Sequence, residues 1–246
     1  MGAAIGWGAL AASSLVIGAL LAFAVDLPKR QLGIVLAFGA GALISAVSFE
    51  LAEEGLAVGG FGWTAVGLAA GALTYFTLDG LISRRFGTGT GRGGRSSAKG
   101  SGSDTGTALA LGAFLDGIPE QLVLGLGIAG GAGVSVGLLA AIFVSNLPES
   151  IGSAGAMRDA GRSRSSILWL WTGVAAIAVL SSIAGYGLGD EFSGEARATV
   201  DGFAAGALLV MLIDSMIPDA AEDAGRPAGL AAVLGFAVAL ALSSVS

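Results

Sequence analysis

The sequence predicts an all-α membrane protein built as an eight-helix transmembrane bundle. Of its 246 residues, 54% are hydrophobic and only 12% are charged, which is far too apolar for an ordinary soluble domain. Glycine is abundant and aromatic residues are few. Small residues let transmembrane helices approach one another backbone to backbone. Eight segments are long and apolar enough to cross a bilayer.

The eight predicted spans form one transmembrane domain, residues 1–246, and are separated by short connections and one longer loop. They cover residues 3–25, 32–52, 61–82, 106–128, 134–157, 166–188, 199–218 and 227–245. Residues 83–105, rich in Gly, Ser and Arg without apolar periodicity, are expected to form a flexible loop. The first span lacks a basic leader, so we expect a retained helix and not a cleaved signal peptide.

The basic residues predict the orientation. They follow the odd-numbered spans and fall in the same set of alternate connections: Lys29, Arg30, Arg84, Arg85, Arg92, Arg95, Lys99, Arg158, Arg162, Arg164 and Arg226. The other side keeps only Arg197. By the positive-inside rule, both termini face outward and the 83–105 loop is cytoplasmic. We expect an integral protein of the plasma membrane of a prokaryote.

Composition also restricts the chemistry. The chain contains no Cys and no His, so any metal site has to be built from oxygen ligands. A net charge of −6 argues against nucleic acid as a partner. No pairing of a nucleophile with a base is evident, and we expect no enzymatic activity and no resident cofactor.

Two polar interruptions stand out in the fourth and fifth spans: residues 116–120, Asp-Gly-Ile-Pro-Glu, and residues 145–149, Ser-Asn-Leu-Pro-Glu. A charged group at that depth costs about 2.5 to 3.5 kcal/mol on insertion scales, so it is usually retained for a function. Each proline also removes a backbone hydrogen bond and frees nearby carbonyl oxygens.

Helical spacing puts the polar groups of each interruption on one face. Asp116 and Glu120 are four residues apart, and Asn146 and Glu149 are three apart. Like charges gathered in a low dielectric repel one another, and a bound divalent cation would compensate them. No basic residue is predicted within these spans. The pattern favours a cation site over a structural ion pair, although kinks stabilised by protonated carboxyls are the structural alternative.

Other polar and aromatic residues give weaker signals. Asp214 lies several residues inside the seventh span and is a weaker candidate ligand. Glu50 and Asp79 lie near span ends, where facing water is the simpler interpretation. The tryptophans near span ends are expected to be interfacial anchors: Trp7, Trp63, Trp169 and Trp171.

An internal similarity links the second and seventh spans. Residues 38–43 read Phe-Gly-Ala-Gly-Ala-Leu, and residues 203–208 read Phe-Ala-Ala-Gly-Ala-Leu. Each stretch continues into a cluster of carboxylates. Similarity between the halves of a chain is common in secondary transporters, whose sites lie near the membrane midplane on interrupted helices.

These features together resemble the ZIP family of divalent-metal transporters, over essentially the whole chain. The specific part is the Pro-Glu motif pair: residues 116–121 are similar to the family's His-Asn-x-Pro-Glu-Gly, and residues 145–150 to its His/Gln-Glu/Asp/Asn-x-Pro-Glu-Gly. The resemblance implies transport of a divalent cation by alternating exposure of a midplane site on the fourth and fifth helices. Small-residue helix faces are compatible with a homodimer.

Carried over by position, the resemblance implies that Glu120 and Glu149 are the central carboxylates. Asp116 would replace the first histidine, Asn146 would keep an oxygen ligand, and Ser145 would be a weak ligand. The sixth span contains no carboxylate to complete a second metal position. Oxygen-only ligands suit Mn²⁺ or Mg²⁺, while zinc, iron and cadmium remain candidate cargoes.

Two other functions stay open on sequence alone. A ZIP-like protein without the usual histidines could be a metal sensor or interaction protein that does not transport. The buried carboxylates could instead carry protons in a permease for another solute. The small, acidic, oxygen-only site with few aromatic residues ranks the permease last.

Overall fold

The structure, a computed structural model, describes residues 1–86, 117–129, 135–189 and 193–244, and all regular elements within them are helices. The predicted all-helical architecture is confirmed for these residues. The α-helices are α1 Gly2–Ala24, α2 Lys29–Ala46, α3 Glu53–Phe86, α4 Gly117–Ala129, α5 Val136–Asp159, α6 Arg164–Gly189, α7 Gly194–Met211, α8 Ile217–Ala224 and α9 Pro227–Ser243.

Five helical segments in the described part are long and apolar enough to cross a membrane. They are Gly2–Ala24, Lys29–Leu81, Val136–Asp159, Arg164–Gly189 and Gly194–Ala224. Two shorter apolar helices, α4 and α9, accompany them. The chain is therefore an integral membrane protein.

A backbone break divides the longest of these segments. Gly60 has φ 78° and ψ 173°, a conformation that is essentially restricted to glycine. The break lies between the predicted second and third spans, so the 53-residue segment consists of two arms. The second arm continues to Phe86 and overlaps the start of the predicted 83–105 loop. Residues 87–105 lie outside the described residues.

Helix α2 packs closely against α9 through glycine. A Cβ atom placed on Gly41 would overlap the backbone carbonyl of Ala232, and one placed on Gly235 would overlap the carbonyl of Phe38. The two helices therefore meet backbone to backbone, as small residues allow in membranes.

Helix α3 packs against α7 in the same way. A Cβ on Gly206 would overlap the carbonyl of Leu68, and one on Gly71 would overlap the carbonyl of Phe203. Phe203 and Gly206 occupy the positions in the second copy of the repeat that Phe38 and Gly41 occupy in the first. The internal similarity thus extends from the sequence to the helix contacts.

The same repeat carries two π-helical segments. Val47–Ala52 joins α2 to α3, and Leu212–Met216 joins α7 to α8. The first segment begins nine residues after Phe38 and the second nine residues after Phe203. A π-helical turn within a longer helix frequently marks a functional site. Glu50 and Asp214 lie within these two segments.

Two hydrophobic cores share α5. One core is formed mainly by α2, α4, α5, α7 and α9, and the other by α1, α5 and α6. Trp171 is fully buried in the second core, so the prediction that it is an interfacial anchor is wrong. Trp169, two residues earlier, is 75% exposed. The two side chains point to opposite sides of α6 because neighbouring helical positions at this spacing face different directions.

The structure brings predicted basic connections together at one end of the bundle. The Arg158 guanidinium, at the end of α5, donates to Asp26 at 3.0 Å and to the carbonyl of Ala22 at 2.6 Å. Arg164 lies over the ring of Phe23, 5.2 Å from its centroid. The connection between α1 and α2 therefore contacts the one between α5 and α6.

Candidate metal site

Glu120 lies on α4 and is almost completely buried. Its side chain is 1% exposed, and its Oε2 atom has no hydrogen-bond partner. Glu149 of α5 lies close enough for its negative charge to repel that of Glu120. The fold therefore brings the two Pro-Glu steps together. Burial of an unpaired carboxylate is costly, so the arrangement calls for a compensating group.

Asn146 and Ser145 lie beside this pair on α5. Both are buried, at 4% and 2% exposure. The Ser145 hydroxyl donates to the carbonyl of Ile142 at 3.0 Å, and its backbone lies against Gly39 of α2. The hydroxyl of Ser145 is thus already bonded within its helix, consistent with a weak ligand at most.

Two further predicted ligands are Asp116 and Asp214. Asp116 lies outside the described residues. Asp214 is half-buried in the π-helical segment between α7 and α8. The described residues contain no group of three or more Asp or Glu side chains placed to hold a metal ion. Asp214 is therefore not grouped with Glu120 and Glu149 in this conformation, and its role as a ligand stays a prediction.

Helix α1 supports α5 at its proline. Pro148 lies inside α5, which continues without interruption to Asp159. A Cβ atom on Gly18 of α1 would lie 2.7 Å from the carbonyl oxygen of Leu147. The Ser150 hydroxyl lies 3.4 Å from the carbonyl oxygen of Ser14 on α1. These contacts hold the segment that carries Glu149 against α1.

Gln121, next to Glu120, is a polar residue that the sequence analysis did not select. It is 1% exposed, and both its amide nitrogen and amide oxygen lack hydrogen-bond partners. A Cβ on Gly8 of α1 would be 3.5 Å from the Gln121 Oε1 atom. The ZIP motif has glycine at this position, so the residue departs from the pattern that it resembles.

A partly open cavity of about 460 Å³, which we call the vestibule, lies above the glutamate pair. Its α4 lining consists of Val123, Leu124 and Gly127. These positions are three, four and seven residues after Glu120, so they share its helix face. Val123 and Leu124, the two that are nearest to Glu120 along the helix, are apolar and buried. The vestibule thus ends on an apolar floor about one turn of α4 from Glu120.

The vestibule also contains an acidic cluster. The charged residues that line it are Glu50, Glu53, Glu54, Arg197 and Asp201. From the sequence, Arg197 was expected on the outer side and Glu50 near a span end, and no site was predicted here. The signal was present in the spacing, because Glu50, Glu53 and Glu54 share a helix face, as do Arg197 and Asp201.

The fold and these residues define a helical integral membrane protein in which a buried carboxylate, Glu120, has a half-buried second carboxylate, Glu149, within electrostatic range, and which also contains an acidic vestibule. No family model matches the chain. It is similar to a protein of Arabidopsis thaliana that is provisionally named a zinc transporter, with 29% identity over 231 residues. The match covers 93% of this chain and 36% of the plant protein, so the chain spans about a third of that relative's length.

Proposed function

We propose that the chain transports a divalent metal cation through a site that contains Glu120 and Glu149. One observation carries the proposal: the fully buried Glu120 carboxylate has an oxygen without a hydrogen bond to any described residue, and it lies within electrostatic range of a second carboxylate, Glu149. A divalent cation between the two groups would compensate both charges. Asn146 and Asp116 would supply further oxygen ligands.

The vestibule provides one route to the pair. Its lining includes the Glu120 face of α4, where the apolar floor lies about one helical turn from Glu120. We infer that the site is closed on this side in the conformation described. Transport then requires α4 and α5 to move relative to the helices around the vestibule, so that the pair is exposed alternately to the two sides.

Two observations bear on which cation is transported. The name of the plant relative favours zinc. A ligand set of carboxylate and amide oxygens also suits Mn²⁺ and Mg²⁺, while carboxylates do bind Zn²⁺. We therefore propose a divalent cation, with zinc and manganese as the first ions to test, followed by iron, cadmium and magnesium.

We propose eight spans with both termini outside. The two arms that meet at Gly60 count as two spans, and the shorter helices α4 and α9 complete the set. On α5, Glu149 lies ten residues before the helix end at Asp159, near the middle of this span. The plasma membrane of a prokaryote and a homodimer remain predictions, and the relative that supports transport comes from a plant.

Flux measurements on the purified chain in proteoliposomes test this function. We expect saturable entry of Zn²⁺ or Mn²⁺, reported by a trapped fluorescent indicator, at a rate well above that of protein-free liposomes. Saturable binding of both ions without flux would instead favour a metal sensor. Movement of protons that is insensitive to every divalent ion tested would favour a proton-coupled permease.

A further inference from the structure

The acidic cluster of the vestibule is separate from the glutamate pair. Among the described residues, four carboxylates and one guanidinium line the cavity, so its lining carries a net formal charge of −3. The carboxylates come from the first arm of the α2–α3 segment and from α7. Neither Glu120 nor Glu149 is among the described residues that line the cavity.

Asp201 is the most buried member of the cluster. Asp201 is only 3% exposed, and its Oδ2 atom has no hydrogen-bond partner among the described residues. The nearest cation is Arg197, whose Nε atom lies 3.9 Å from this oxygen, too far for a hydrogen bond. A buried carboxylate oxygen that lines a cavity without a hydrogen bond is available to a ligand.

Glu50 offers a second available oxygen. The hydroxyl of Ser243 donates to its Oε1 atom, while Oε2 has no hydrogen-bond partner. Glu50 also lies in the π-helical segment that joins α2 to α3. Two residues of the cavity lining, Glu50 and Asp201, therefore each have one carboxylate oxygen without a hydrogen bond to any described residue, and they lie on two different helices.

Arg197 occupies the place where a cation would be expected. Its guanidinium binds Glu54 directly and lies next to Asp201, and its side chain is 17% exposed. Of the described residues that line the vestibule, it is the only basic one. Arginine cannot lose its proton in a protein, so this charge is permanent and can leave the carboxylates only by movement of the side chain.

We propose that the vestibule is a second cation site, in which Arg197 is a tethered cation that a hydrated divalent cation displaces. The described residues contain no three carboxylates close enough to coordinate a bare ion. The cavity, at about 460 Å³, has room for an ion that keeps part of its water shell, as Mg²⁺ commonly does in proteins. Glu50, Glu54 and Asp201 contact the ion or its water once the guanidinium turns away.

Manganese binding to the full chain in lipid nanodiscs tests this site, with free Mn²⁺ measured by electron paramagnetic resonance. The background is Glu120→Gln/Glu149→Gln, which removes the glutamate pair. We expect one Mn²⁺ to remain bound. Asp201→Asn should weaken its binding by about tenfold or more, and Arg197→Gln should strengthen it by a similar factor because the competing cation is gone.

The matched control is Glu195→Gln, an exposed carboxylate in the first turn of α7 that does not line the vestibule. Its removal should change the affinity less than about twofold, because exposed charges are screened. Elution as the parent species in size-exclusion chromatography establishes that each variant is folded. An affinity for Mn²⁺ that does not respond to Asp201→Asn or Arg197→Gln, or absence of binding in the background, overturns the proposal.

The outcome of the Mn²⁺-binding experiment is independent of the transport proposal. If the vestibule binds Mn²⁺ but Glu120 and Glu149 prove unnecessary for flux, the vestibule site stands and the transport site fails. If the two glutamates are needed for flux but the background binds no Mn²⁺, the transport site stands and the vestibule site fails.

Discussion

The backbone carbonyl of Phe38 on α2 lies directly against Gly235 on α9, leaving no room for a side chain at position 235. We predict that Gly235→Ala lowers the stability of the protein by about 1–3 kcal/mol, because two backbones must separate to admit the methyl group. Thermal unfolding of the protein in detergent measures the effect. Gly229→Ala, on the same helix and open to empty space, is the control and should not lower the melting temperature.

Replacing Gly60 tests how backbone conformation alone affects stability, because no steric clash is involved. A Cβ atom there would have no neighbour within 4 Å, yet the residue has a φ of 78°. We predict that Gly60→Ala costs about 1–3 kcal/mol through backbone strain alone. Gly62→Ala, two residues later in the helix and equally open, should be neutral or stabilising. Equal melting temperatures for the two variants would contradict the break at Gly60.

The two tryptophans of α6 should respond differently to replacement. Trp171 is fully buried, and Trp169 is 75% exposed. Trp171→Ala should cost about 3–5 kcal/mol because it leaves a large cavity. Trp169→Ala should cost about 0.5 kcal/mol or less. Quenching by brominated lipids gives a second measurement: it should fall in Trp169→Phe and should not fall in Trp171→Phe.

Membrane orientation can be measured directly because the chain has no native cysteine. We predict that Glu195→Cys, at the start of α7, reacts with a membrane-impermeant maleimide added outside intact cells. Asp159→Cys, at the end of α5 beside Arg158, should react only after the membrane is permeabilised. The opposite labelling pattern would reverse the proposed orientation, and labelling of both positions from outside would contradict the span count.

The sequence was sufficient to predict helices long and apolar enough to cross a membrane, while a metal site formed by the two Pro-Glu steps stays a prediction. Apolar length predicted spans, and two costly carboxylates at similar depths in neighbouring spans predicted that they would meet. The burial of Trp171 could not be predicted in this way, because an apolar window does not show which face of α6 contacts α1 and α5. That distinction depends on tertiary packing.

The vestibule also could not be predicted from the sequence alone. Glu50 and Asp201 lie 151 positions apart, and their shared cavity depends on the close glycine contacts between α3 and α7. Arg197 was predicted to lie on the outer side of the membrane. Its direct bond to Glu54 could not be predicted, because it depends on how the helices pack. The contribution of Asp116 to the glutamate pair stays a prediction.

The most direct test of the central claim compares initial rates of Zn²⁺ or Mn²⁺ entry into proteoliposomes for three single variants. Glu120→Gln and Glu149→Gln keep the size of each side chain but remove its charge, and we predict that each lowers the rate by about tenfold or more. Asp159→Asn removes an exposed carboxylate at the end of α5 and should keep the parent rate. Parent rates in both glutamine variants would contradict transport through the glutamate pair.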